Sequence, residues 1–99
     1  MVIAEVSIVP VGTKTSSLSR YVAKAIEPLN KQTSVSFNIT AMGTILEGEL
    51  SDVMTAVSWM HNNVFDEEIN RVVTNIRIDD RRDRNTSGDY KIQSVMKRL

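Results

Sequence analysis

From Val2 to Val9 the chain alternates. Ala4, Val6 and Ile8 fall on one side, and Ile3, Glu5 and Ser7 on the other, which is the period of a β-strand rich in branched residues. Pro10 and Gly12 punctuate its end. The hydroxyl-rich stretch Thr13 to Ser17 suits a helix N-terminus. Leu18, Tyr21, Val22, Ala25, Ile26 and Leu29 then follow helical spacing. Pro28 lacks a backbone donor, so this first helix is expected to end or kink there.

Alternation returns from Ser34 to Ala41, with Val35, Phe37 and Ile39 opposed to Ser36, Asn38 and Thr40. Met42-Gly43 reads as a tight turn, and Thr44 to Glu49 as the returning strand of a hairpin. Ser51 is the expected N-cap of a second helix, with Asp52 at the positive end of its dipole. Val53, Val57, Met60 and Val64 form one stripe of that helix. Asp66, Glu67 and Glu68 break the pattern. Asn70 to Ile78 reads as a fourth strand with Val72, Thr74, Ile76 and Ile78 on one face. After the charge run Asp79 to Arg84, Thr86 or Ser87 can cap a last helix. Its apolar residues Ile92, Val95, Met96 and Leu99 follow helical spacing.

The order βαββαβ predicts an α+β fold: a ferredoxin-like sandwich with a four-stranded antiparallel sheet, two helices on one face, and a C-terminal helix. Right-handed crossovers put strands one and three in the centre and strands two and four at the edges. The chain has 99 residues, enough for one domain over residues 1–99 and too few for two. A domain of that size buries only about two-thirds of its unfolded surface, so association would add useful burial.

Composition narrows the function classes. Twelve Lys and Arg balance twelve Asp and Glu. A net charge of zero argues against a general nucleic-acid binder and favours self-association. There is no cysteine, which removes thiol chemistry and suits a cytoplasmic location. No apolar run approaches the ~20 residues of a membrane span, and the N-terminus lacks the basic region of a signal peptide.

With helices on one face, the other sheet face should carry Glu5, Ser7, Ser36, Asn38, Thr40, Val73, Asn75 and Arg77. Glu47 joins them if the register after Gly43 allows. Glu5 is then expected beside Glu47 on one side and near Arg77 on the other. A mid-strand acid on a central strand admits three readings. It pairs with Arg77 on a solvated face, it lies in a polar interface where two sheets stack, or it accepts hydrogen bonds from a ligand amine or protonated ring nitrogen.

Other features point to structure rather than chemistry. Gly12 to Ser17 lacks the first glycine and spacing of a phosphate-binding loop. His61 is the lone histidine, without the partners of a metal site or a nucleophilic triad. Trp59 and Tyr21 sit near apolar stripes and read as packing residues. The central strands lack the exposed aromatics of an RNA-recognition sheet. The mixed run Asp79 to Arg84 reads as a salt-bridged surface loop.

Three ordered motifs carry a resemblance. They are Ala4-Glu5-x-Ser7-Ile8-x-Pro10-x-Gly12, then Met42-Gly43-Thr44-x-x-Glu47-Gly48, and Arg71-Val72-x-Thr74-x-Ile76-x-Ile78 running into Asp79-Asp80-Arg81-Arg82-Asp83. Together with Ser17-Leu18-Ser19-x-Tyr21-Val22 they resemble the small thiamine-binding protein family over nearly the whole chain. The resemblance implies a ferredoxin-like fold, association through sheets into dimers or tetramers, and non-catalytic binding of thiamine or its hydroxymethylpyrimidine part, with no separate cofactor. By motif position it implies Glu5, Ser7, Thr44 and Glu47 as ligand candidates, and sheet geometry adds Thr40. Two alternatives stand beside it: an oligomerising regulatory module without a small ligand, and a small hydrolase, which would need residues such as Arg77 or Asn38 to act.

Overall fold

The computed structural model describes residues 1–99. Its elements are β1 (Val2–Pro10), α1 (Ser19–Ile26), a 3-10 turn (Glu27–Lys31), β2 (Ser36–Ile39), β3 (Thr44–Gly48), α2 (Leu50–Val64), β4 (Val72–Asp80) and α3 (Gly88–Met96). The antiparallel sheet runs β2-β3-β1-β4, the order expected of a ferredoxin-like α+β fold.

The local reasons are visible. Pro28 sits in the first turn of the 3-10 segment, so α1 tightens there and carries Leu29 into the core. The next loop is tied by one side chain. The Gln32 amide donates to the Leu29 and Val35 carbonyls at 3.0 and 2.9 Å and accepts from the Val35 N–H at 2.8 Å. Val35 is therefore buried but held outside β2, which begins two residues later than the alternation predicts. Beyond α2, the Asp66 carboxylate accepts from the Glu68 and Ile69 N–H groups, both at 2.8 Å, and from the Lys24 ammonium at 2.7 Å. That knot explains why the acidic break delivers Ile69 into the core.

The core lies between the sheet and the pair α1 and α2. Leu46, Val53, Met60, Val64 and Ile69 are essentially inaccessible to water. Each contributes roughly 1.5–3 kcal/mol of apolar burial.

The register sets the second sheet face. Glu5 stands opposite Arg77 on β4 and Ile45 on β3, and Ile3 opposite Asp79 and Glu47. Glu5 and Glu47 are thus diagonal rather than adjacent, which corrects the expected side-by-side placement: β3 is registered by Ala4 opposite Leu46. This face is also not wholly bare. The start of α3 crosses it, where the Gly88 N–H donates to Glu47 Oε1 at 2.7 Å and Lys91 pairs with Asp79. Beyond that start α3 buries no residue.

Two caps differ from expectation. The helix α2 opens at Leu50, because the Glu49 carbonyl already accepts the Val53 N–H at 2.9 Å. Ser51 is inside the helix, its carbonyl accepting from the Thr55 hydroxyl. The hydroxyl cluster before α1 folds on itself, with the Thr13 hydroxyl donating to the Thr15 carbonyl and Thr15 Oγ1 accepting from the Ser17 N–H. It does not cap the helix, whose N-cap is Leu18. Ser87 does cap α3, accepting from the Tyr90 N–H at 3.0 Å.

Candidate functional site

The two arms of the sheet centre differ in length, and the difference makes a notch. Thr44 opens β3 opposite Val6, while β1 continues through Ile8 to Pro10 with only β4 beside it. The hairpin tip turns back just there. The Thr40 N–H and hydroxyl both reach the Gly43 carbonyl, at 2.9 and 2.6 Å. Gly43 is required by space: a Cβ on it would stand 2.9 Å from the Val6 carbonyl oxygen. The first turns of α1 close the notch from the helix side.

The result is a cavity of about 460 Å³, within the range of small-ligand sites. Its walls are mostly apolar: Val6 and Ile8 on β1, Leu18 and Val22 at α1, and Met60 on α2. Ser7, Ser19, Thr40 and Thr44 supply its polar groups.

Thr44 is the distinctive one. It is 5% exposed and is the only polar residue buried in the chain. No hydrogen bond within the chain engages its hydroxyl, yet no fully buried side-chain polar atom is left unsatisfied. The hydroxyl therefore opens onto the cavity that Thr44 lines.

Three of the five site residues expected from sequence, Ser7, Thr40 and Thr44, meet at this notch. The other two lie elsewhere. Glu5 lines a shallow cleft on the opposite sheet face that shares Ser7 and Met42 with the notch. Its carboxylate is 3.3 Å from the Arg77 guanidinium. Glu47 holds the N-terminus of α3. Thr40 sits in the turn and not on the open sheet face, because β2 ends at Ile39.

Sequence reading missed Leu18, Val22 and Met42 as cavity residues. The available signal was the mismatch between a first strand running to Pro10 and a hairpin turning at Met42-Gly43.

The remaining chemistry-bearing residues have structural uses. His61 Nδ1 is 2.6 Å from the Thr74 hydroxyl, and its ring meets Phe65 edge-on. No cluster of His, Cys, Asp or Glu is placed to hold a metal ion. Tyr21 is buried in the core, whereas Trp59 is 46% exposed on the outer side of α2, beside Pro28 and Lys31. The charge run is laced within itself, Arg81 to Asp83 at 2.6 Å and Arg82 to Asp80 at 2.8 Å. Those guanidinium hydrogen bonds hold the Asp80 and Asp83 carboxyls below the usual carboxylate range. No helix is long and apolar enough to cross a membrane.

Comparison with known proteins places the chain among relatives. The family model described as thiamine-binding protein matches residues 4–96. The UPF0045 protein YqgV of Bacillus subtilis is 45% identical over all of this chain and 98% of its own length. A UPF0045 protein of Methanothermobacter thermautotrophicus is 42% identical over the full length of both. Among solved structures, hypothetical protein MJ1052 of Methanocaldococcus jannaschii superposes with a TM-score of 0.86 at 39% identity, covering 96% of this chain and 95% of that one. A Thermotoga maritima protein, described with a suggested role in thiamine biosynthesis or salvage, shares the fold. Its TM-score is 0.76 at 19% identity, over 95% of this chain and 97% of that one.

Proposed function

The chain belongs to the thiamine-binding protein family, and from that premise we propose that it binds thiamine or its hydroxymethylpyrimidine part in the notch, without transforming it, as a homo-oligomer. The observation that carries the reading is the Thr44 hydroxyl, buried and unpartnered at the wall of a mostly apolar cavity. A ligand that fills the cavity and displaces water from this hydroxyl must bond to it or leave it unsatisfied at a cost. An aminopyrimidine offers flat apolar faces for Leu18 and Val22 and polar edge atoms for Thr44. Ser7 and Thr40 stand at the same notch as further ligand contacts.

Binding without chemistry is supported by the lining itself. No Asp, Glu, His, Lys, Arg or Cys faces the cavity, so it offers no general acid or base and nothing to activate its Ser and Thr hydroxyls as nucleophiles. Glu5 lies across Met42 from the notch and is the carboxylate we assign to the cationic part of thiamine. Glu47, engaged with α3, is assigned to positioning that helix against the sheet.

Self-association is supported by α3. Ile92, Val95 and Met96 are 58–59% exposed on it, an apolar stripe that the chain itself leaves uncovered. The rest of the open sheet face mixes the charged Glu5, Arg77 and Asp79 with the apolar Ile3, Ile45 and exposed Val73, a surface suited to stacking against a second copy. That stripe also favours a second reading, an oligomerising module with no small ligand.

Calorimetry with thiamine and with hydroxymethylpyrimidine separates the two. Saturable heat from either supports the proposal. No heat from both at millimolar ligand overturns it and leaves the second reading.

A further inference from the structure

We propose that the notch reads its ligand through the backbone of Ile8, so that it selects nitrogen heterocycles carrying an amino group next to a ring nitrogen. This rests on the notch being the ligand site and specifies what that site recognises.

The alternation of β1 places these groups. The Val11 N–H donates to the Arg71 carbonyl at 2.9 Å, continuing the pairing of Pro10 with Val72. Odd-numbered residues of β1 therefore bond toward β4. Even-numbered residues bond toward β3, in agreement with the Val6 carbonyl lying against Gly43. Ile8 is the next even position. The register of β3 would set Met42 opposite it, but Met42 is in the hairpin turn and 85% exposed. The N–H and C=O of Ile8 consequently point into the notch with no strand to meet them.

An unpaired edge residue presents a donor beside an acceptor, nearly parallel, and normally recruits another strand. A ring nitrogen next to an amino group offers the complement, acceptor beside donor, in the plane of the ring. The cavity between β1 and α1 accommodates a ring lying edge-on to the strand, and the Thr44 hydroxyl can donate to or accept from a further ring atom. A ring with a carbonyl in place of the amino group and a proton on the ring nitrogen reverses the order. Both bonds to Ile8 then face like against like.

The test is a comparison of hydroxymethylpyrimidine with its oxo counterpart, in which a carbonyl replaces the amino group, by calorimetry on the full chain. The amino compound should bind at least about tenfold more tightly. Amide hydrogen exchange gives a second readout: the Ile8 N–H should exchange quickly in the free protein and be protected by the amino compound. A third is Ile8→Pro, which removes a donor that no ladder bond uses and is tolerated at a strand edge. It should weaken binding about tenfold, and more than Ile8→Ala does. Should Ile8→Pro fail to fold, selectivity and exchange decide. Equal affinity for the two compounds, or an Ile8 amide unaffected by bound ligand, overturns the proposal while leaving the ligand site standing. Binding of none of thiamine and the two pyrimidines overturns both.

Discussion

Val6 pairs with Thr44, and at that pair the hairpin ends while β1 goes on to Pro10. One short arm beside one long arm makes the notch, and the same register turns the Thr44 side chain to the helix side, where it is buried without a partner. A structural threonine would gain nothing from that position. Thr44→Val keeps the shape and removes the hydroxyl. The expected outcome is a folding free energy changed by less than about 1 kcal/mol in urea denaturation, together with thiamine affinity lowered about tenfold. Unchanged affinity would detach Thr44 from the ligand.

Leu46 is completely buried, at the centre of the core opposite Ala4 and Phe37. Leu46→Ala should cost about 2–5 kcal/mol through lost burial and a residual cavity, a large share of the stability of a small domain. Urea titration followed by circular dichroism measures it. A loss below about 1 kcal/mol would mean that the core collapses around the gap.

The alternation and helical stripes were enough to read the fold, because Ala4, Val6, Val53, Met60 and Val64 each lie where their period places them. Leu46 escaped notice because β3 is short and opens with Thr44, so its buried side is headed by a polar residue. The site was legible only in part. Motif position named Ser7 and Thr44, but the strand end at Pro10 and the turn at Met42-Gly43 become a notch only once the register pairs Val6 with Thr44, some forty residues away in sequence. Glu5 and Glu47 look equivalent in sequence. Only the register separates a carboxylate paired with Arg77 from one holding Gly88. Caps were the weakest part, since a backbone carbonyl, that of Glu49, started α2 before Ser51 could.

Asp66 gives a pH prediction. The Lys24 hydrogen bond, then those of the Ile69 and Glu68 N–H groups, lower its pKa from 3.8 to about 2. A depressed acid stabilises the fold above its unfolded pKa, and the contribution is lost as pH falls through the folded value. Asp66→Ala should therefore lower the denaturation midpoint at neutral pH. The gap between variant and parent should narrow between about pH 4 and about pH 2. Urea midpoints across that range test it, and a gap independent of pH would show that the loop knot does not depend on the carboxylate charge.

The apolar stripe on α3 tests the assembly without touching the notch. Ile92 and Val95 are each 59% exposed and the helix buries nothing, so charged residues there should leave the protomer folded, within the small changes typical of surface sites. In an assembly, the same positions would be desolvated, and an unpaired charge placed there opposes association strongly. Sedimentation of the parent at micromolar concentration should give a dimer or larger species, and Ile92→Glu with Val95→Glu should shift it to the monomer with circular dichroism unchanged. A monomeric parent would remove α3 from any interface. An oligomer indifferent to the two charges would leave the stripe solvated and put the contact on the sheet alone. If the assembly does run through α3, it bears on the Glu5 side of the open face. Glu47 ties α3 to β3, next to the strand that carries Glu5. Loss of the oligomer should then weaken thiamine more than it weakens the free pyrimidine, because only thiamine carries the cationic ring assigned to Glu5.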